Sequence, residues 1–466
     1  MRRDLASRLS TSRCPTCPIE EPNAPAELGE LRAVESSRTL PLVSASSRPH
    51  SAVQWFVLAA LALILAACSA PGTTPPSPVE SRSQPADSSR LNLVRATVEA
   101  LAEAARTGDK EGFDRLVSDR DPSFPDRAQL LYDNLSSLPL TTLRIRVEPT
   151  QIGPPAARRK TLGPSAWAQP AIVTWRLAGD SAEVEHRVWL MFIEVAGEVK
   201  IAGTIVQPTG GQPEPKPSWW LGPLTATHRG GVTVLAGVGQ STDRWSRLAA
   251  AALASVREQL PSGLGAAWNR QVVIEVPATT RDFESVLGKP AGTYASIAAV
   301  TQPAGAGGEA IRIVANPKAG ELSGRALQSV LEHEMVHLAT RSADTPAPLW
   351  VEEGLAEWVS MRAHPGQRSG GTDELLLRVR NDGAPREFPS DQRFDAGSGN
   401  LELAYAETWL ACRFIADRSS ETQLGRFYAE LANGSTLDQA SRSTLHLTEA
   451  ELTSEWRAYL DRLARY

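Results

Sequence analysis

The sequence predicts an α+β fold in two parts, and three observations support this. Between residues 91 and 208 the apolar spacing changes from helical to alternating, so helices come first and antiparallel strands second. From residue 231 onward short apolar runs rich in Val and Ile alternate with helical segments, and the chain ends in a helical region. A stretch rich in Gly and Pro, residues 209–217, separates the two parts.

The chain has 466 residues, room for two or three domains. Its 48 Lys and Arg against 53 Asp and Glu give a net charge of -5, which argues against nucleic acid as the main partner. A 42% hydrophobic fraction supports a substantial core. Of four cysteines, Cys14 and Cys17 lie in the N-terminal tail, so no disulfide framework is implied.

Residues 1–50 are rich in Ser, Pro, Arg and Glu without periodicity and read as a disordered extension. Cys14 and Cys17 form a lone CxxC with no second pair and no nearby histidine, a poor basis for zinc or redox chemistry. Residues 51–68 contain an apolar run that is short for a membrane span and suited to a signal segment. The run ends in Leu65-Ala66-Ala67-Cys68-Ser69, which resembles a bacterial lipobox. That resemblance implies lipidation at Cys68 and a protein anchored on the outer face of the cell membrane. A weak membrane span or a buried helix is the alternative. Signals of this kind begin close to the initiating residue, so translation is expected to start near Leu40 or Val43. Residues 69–90, with five prolines among serines and threonines, read as a flexible linker.

In the first part, Leu91, Val94, Val98, Leu101 and Ala105 recur at helical spacing, and Thr107-Gly108-Asp109 stops the helix. A second helical piece carries Phe113 and Leu116, and a third covers 127–135. Strands follow at 143–147, 171–177, 183–193 and 199–206. This element order resembles the SnoaL-like cone, also called nuclear-transport-factor-2-like. No acid/base pair is legible in it. His186, between Glu185 and Arg187 on an alternating strand, reads as solvent-facing. The part from 91 to 208 is expected to regulate, dock or space. After it, residues 209–224 are a second linker, with Trp219 and Trp220 as an anchor between the parts or, less simply, a stacking surface for a ligand.

In the second part, 225–466, strands are expected at 231–235, 272–276, 297–300 and 310–315. Helices are expected at 243–260 and 282–287. His228 enters the first strand and reads as structural. A continuous apolar helix from 324 to 340 then carries Leu331-Glu332-His333-Glu334-Met335-Val336-His337-Leu338. Two histidines four apart on a helix share one face and can share a metal ion. Glu334 projects beside them, where it can take a proton from an attacking water. Pro346 and Pro348 can reverse the chain into a second helix, Leu349-Trp350-Val351-Glu352-Glu353-Gly354-Leu355-Ala356-Glu357-Trp358. That helix can offer Glu353 as a third ligand, leaving one zinc position open. Glu357, one turn on, can accept a hydrogen bond from the outer nitrogen of one histidine.

H-E-x-x-H followed by W-x-x-E-G-x-A-E resembles the gluzincin metallopeptidases, most closely the peptidase MA-like family. The resemblance implies a zincin-type catalytic domain, with zinc on His333, His337 and Glu353 and Glu334 as general base. The choice of Glu353 over Glu352 rests on Gly354, since in the family a glycine directly follows the ligand. The spacer between the two motifs is shorter than in the aminopeptidases of this clan. In zincins the strand before the metal helix lies along the cleft edge, and 310–315 is the candidate. Residues 363–400, rich in Gly, Arg, Asp and Pro, read as a loop at the cleft or as surface padding.

Helices are expected around Trp409 and Phe414, at 424–431 and at 452–463. Tyr405-Ala406-Glu407-Thr408-Trp409 matches a Y-x-x-S-like helix start of the family. A tyrosine hydroxyl near zinc can donate to the oxyanion of a hydrolysed amide, so Tyr405 is either that electrophilic group or a core tyrosine. Cys412 reads as a buried small hydrophobe. Together these features predict one zinc ion, a peptide or protein substrate and hydrolysis by activated water. The competing expectation is a non-catalytic envelope lipoprotein. No G-x-M-E-N-like segment for capturing a free amino terminus is present, which favours an endopeptidase.

Overall fold

The computed structural model describes residues 84–85, 88–205, 214–305, 308–364, 366–394 and 401–465. The expected extension, the signal segment with Cys68 and most of the first linker lie outside the described residues. No described helix is long and apolar enough to cross a membrane.

The first part opens with β1 (Gln84–Pro85), α1 (Ser88–Thr107), α2 (Lys110–Arg115) and α3 (Phe124–Ser137). Along α1, Val94, Val98, Ala102 and Ala105 fall at helical spacing, and all are buried. Asp109 starts α2 by accepting from the Gly112 backbone N–H at 2.8 Å. Then come β2 (Leu140–Val147), β3 (Thr150–Gln151), α4 (Ala156–Leu162), β4 (Trp167–Leu177), β5 (Val184–Val195) and β6 (Glu198–Ile205). The sheet order is β2-β4-β5-β6, antiparallel throughout, with β1 paired to β3 alongside. Helix α4 was not legible in the sequence, because only Leu162 of its single buried position marks an inner face.

His186 departs from the sequence reading. It is buried, its ring 6.1 Å from that of Trp175, because it lies on the same face of β5 as Val184, Leu190 and Phe192, the face that packs into the core of the first part.

The second part contains α5 (Ser218–Leu221), β7 (Leu224–Arg229), β8 (Val232–Gly237), α6 (Thr242–Gln259), β9 (Val272–Val276), α7 (Thr280–Val286), β10 (Ala299–Pro303) and β11 (Ile311–Ala315). Their sheet runs β10-β11-β9-β8-β7, parallel across β11, β9 and β8 and antiparallel at both ends. Both faces of the parallel strands are buried, which explains their unbroken apolar runs. Val234, Ile274 and Ile313 face a core shared with α6. Leu235, Val273 and Ala310 join Val98, Trp175 and Trp219 in the core of the first part, which therefore packs on the back of this sheet.

The strand expected at the cleft edge, 310–315, is an interior strand: β11 pairs with β9 on one side and β10 on the other. The edge belongs to β10. Strand order is a long-range property, and the two short strands look alike in sequence.

The chain continues through α8 (Gly324–Thr340), α9 (Leu349–Arg362), α10 (Thr372–Asp382), α11 (Leu401–Arg418), α12 (Glu421–Ala432), α13 (Leu437–Leu445) and α14 (Glu449–Leu463). The region expected to be a loop, 363–400, contains α10, which buries Leu375 and Val379 against the C-terminal helices. Its charge-rich surface hides these two positions from a composition argument. Helices α9 and α11 approach closely at Gly354, where a Cβ would stand 2.6 Å from the Thr408 carbonyl oxygen and 2.8 Å from the Cys412 Sγ.

Candidate metal centre

Helix α8 starts at Ser323, whose hydroxyl accepts from the Ala326 N–H at 3.2 Å. It ends where Arg341 turns left-handed at φ 52° and its N–H closes onto His337 and Leu338 carbonyls. From Ser329 to Ala339 every residue is buried, so the polar ones must find partners inside the protein. His333 and His337, one turn apart, hold their rings 4.9 Å from each other with the two Nε2 atoms 3.1 Å apart.

Pro348 opens α9, which lies across α8 and brings Glu353 to the same point. A Glu353 carboxylate oxygen stands 3.1 Å from the His333 Nε2 and 3.3 Å from the His337 Nε2. Glu352 points elsewhere, accepting from the Thr345 hydroxyl at 2.6 Å. The outer nitrogens are also engaged. The His333 Nδ1 faces a Glu357 oxygen at 3.1 Å and the His337 Nδ1 faces the Ser342 Oγ at 3.0 Å. With Nδ1–H donated to these acceptors, both Nε2 lone pairs face the shared point.

His333, His337 and Glu353 thus form a candidate metal site, their ligand atoms all within 4.8 Å of one another and all three buried. The donor set suits zinc, with two imidazole nitrogens, one carboxylate oxygen and a fourth position left over. Charge agrees with geometry. Burial alone would lower the His333 pKa, but hydrogen bonds to Glu353 and Glu357 carry it up to about 10. Burial would raise that of Glu353, yet the field of His337 and hydrogen bonds from both imidazoles hold it at about 2. A pocket that favours a proton on His333 this strongly is one built for positive charge.

Glu334 lies beside the ligands and is buried. Thr301 on the edge strand β10 donates its hydroxyl to a Glu334 carboxylate oxygen at 2.6 Å and lies 3.0 Å from the Glu334 backbone oxygen. Tyr405 on α11 has its ring 5.9 Å from that of His333 and 5.8 Å from Phe394. Burial and the charges of Glu353, Glu334 and Glu357 push its phenol well above the usual range, so it stays a hydrogen-bond donor.

The structure therefore brings together His333, Glu334, His337, Glu353, Glu357 and Tyr405. Other candidates lie elsewhere. His228 is exposed on β7, its Nδ1 2.8 Å from the Thr233 Oγ on the facing strand. Cys412 is buried in the helical core, where burial pushes its thiol far up. Trp219 meets Trp220 edge-to-face at 5.6 Å and Trp175 edge-on at 5.8 Å. Sequence reasoning missed Ser342 and Thr301. It also missed a partly buried pair, in which Glu332 of α8 lies 2.7 Å from the His364 Nε2.

No family model matches the chain, and neither does any curated protein. Among solved structures it is similar to one described as a two-domain M1 zinc metallopeptidase, a mutant bound to L-arginine, at 10% identity and a TM-score of 0.31. That likeness covers 64% of this chain and 90% of the other. The reading of the site rests on the geometry above.

Proposed function

We propose that this chain is a zinc-dependent peptidase. The observation that carries the reading is the convergence of two oriented imidazoles and one carboxylate on a single point, with Glu334 held beside it by Thr301. Zinc, when bound by His333, His337 and Glu353, supplies a Lewis acid that polarises a carbonyl and makes water a better nucleophile at neutral pH. Glu334 accepts the proton of the attacking water and returns it to the leaving amine. Its bond to Thr301 fixes the carboxylate that must do both. Tyr405, kept neutral, donates to the oxygen that gains charge as the carbonyl is attacked. Glu357 keeps the His333 ring in register.

The position of β10 at the end of the strand order supports an extended peptide pairing along the sheet edge, since an edge strand has one side without a strand partner. An internal peptide bond is the favoured target, because no segment for gripping an amino terminus is legible. Anchoring at Cys68 and an extracytoplasmic location are further proposals, supported by the lipobox-like sequence. The cone-like fold of the first part is supported by its order of helices and antiparallel strands.

Metal analysis of the purified chain tests the site, with about one zinc expected in the wild type and none in His337→Ala. Glu334→Gln is expected to keep zinc and lose cleavage of a peptide library. Normal hydrolysis by Glu334→Gln would remove the mechanism. A folded wild-type chain with no zinc would instead favour a non-catalytic binding protein.

A further inference from the structure

The chain between α10 and α11 is tied to its neighbours at several places. Phe388 is buried, stacked at 4.2 Å on Trp350 of α9 and at 4.6 Å on Trp456 of α14. Asp391–Phe394 then makes one tight helical turn, closed by the Arg393 N–H on the Ser390 carbonyl oxygen at 3.0 Å. Asp391 accepts from the Leu349 N–H at 3.0 Å, which satisfies a free donor at the start of α9. Arg393 and Phe394 reach the other way, to α11. The Arg393 guanidinium donates to both carboxylate oxygens of Glu407, to one of them at 2.9 Å, and the Phe394 ring meets that of Tyr405 edge-on at 5.8 Å. Ordering an irregular segment costs backbone entropy at every residue, and these ties offset it.

Where the ties end matters for the metal centre. Asp391 holds the end of α9 from which Glu353 projects one turn later, while Arg393 and Phe394 hold the part of α11 that carries Tyr405. Tyr405 lies about one turn inside α11, which starts at Leu401, and helix ends fray. Its phenol must stay free to donate to substrate, so whatever fixes its position has to act on its ring and on its helix. Phe394 does the first and the Arg393–Glu407 bond does the second. A two-point contact of guanidinium on carboxylate fixes orientation as well as distance, and Glu407 is buried where that contact forms. Burial raises the Glu407 pKa, and the hydrogen bond and charge of Arg393 oppose the rise.

We propose that Arg393 is a positioning residue of the metal centre: through Glu407 it holds the first turns of α11, and with Phe394 it keeps the Tyr405 phenol beside His333. The consequence for turnover rests on the peptidase reading. The place it gives Tyr405 does not.

Two variants of the full chain test this. Arg393→Met removes the grip but leaves Glu407 buried without Arg393. Arg393→Met combined with Glu407→Leu removes both charges, an exchange that buried pairs often tolerate, and keeps the test open should the single variant not fold. In the wild type, Tyr405 is expected to resist nitration by tetranitromethane, as is the equally buried Tyr428 of α12, while the half-buried Tyr294 reacts; peptide mass spectrometry reads each site. In the double variant Tyr405 is expected to become nitrated with Tyr428 still protected. On a cleaved peptide, kcat is expected to fall about tenfold or more with KM and zinc content unchanged. Arg393→Lys, which keeps the charge without the two-point fork, is expected to retain only part of the wild-type kcat. Continued protection of Tyr405 in the folded double variant overturns the proposal. Exposure of Tyr405 and Tyr428 together would show a general loosening and overturns it too, as does full activity with Tyr405 exposed. A wild-type chain that cleaves no peptide removes the peptidase reading instead, and the nitration result still decides what holds Tyr405.

Discussion

Each imidazole of the metal centre is oriented by a different acceptor, and the two are expected to matter unequally. Glu357 offers His333 a charged acceptor at 3.1 Å, whereas Ser342 offers His337 a neutral hydroxyl at 3.0 Å. A carboxylate raises the basicity of its imidazole as well as aiming it; a hydroxyl mainly aims. Glu357→Gln is therefore expected to weaken zinc binding by about 10- to 100-fold, and Ser342→Ala by less. Competition with a chelator measures both, and unchanged affinity in Glu357→Gln would remove its assigned role. Helical periodicity made His333, His337, Glu353 and Glu357 legible in the sequence, because residues four apart share a face. Ser342 owes its place to the left-handed turn at Arg341, and Thr301 owes its place to the register of β10. Neither is written in a local pattern.

At the scale of elements, the site depends on how closely α9 can approach α11. Gly354 permits that approach, so a side chain there has to push the helices apart or move Cys412. Gly354→Ala is expected to cost about 1–3 kcal/mol, as overpacking does elsewhere. Because Glu353 is the preceding residue, zinc content is expected to fall with it. Denaturant unfolding together with metal analysis checks both, and a variant of wild-type stability would mean that the helices have slack. The bounds of α8 could be read from sequence because the Ser323 cap and a long apolar run mark them locally. Edge and interior strands could not be told apart. Strands β10 and β11 are both short and apolar, and only the sheet order decides which one lies at the edge. Helix α10 was missed for a related reason, since its buried Leu375 and Val379 sit among charges.

For the whole molecule, the join between the two parts buries a cation together with two carboxylates. Arg312 of β11 donates to Asp180 at 2.9 and 2.6 Å and to Glu275 at 2.8 Å, with its guanidinium 4.1 Å from the Trp175 ring. Ser218, at the start of α5, donates to Glu275. His186 faces this cluster, and burial, aided by the Arg312 charge, lowers its pKa from 6.5 to about 3. Above pH 6.5 both folded and unfolded states are neutral there and its contribution is full. As pH falls below 6.5 the unfolded state takes a proton that the folded state refuses, so stability drops by up to about 1.4 kcal/mol per unit. His186→Phe is expected to flatten the stability profile between pH 6.5 and 5, and an unchanged slope would contradict a neutral buried His186. Removal of the cation should act at every pH. In Arg312→Met, Asp180 and Glu275 lose their shared partner inside the join, a loss of about 3–5 kcal/mol. The same core runs from Trp175 through Leu235 and Val273, so the two parts are expected to unfold together in the wild type, as a single calorimetric transition. Arg312→Met is expected to lower that transition or to split it. Two well-separated transitions in the wild type would show that the join carries little of the stability, and the buried cluster would then be a local feature of β11 alone.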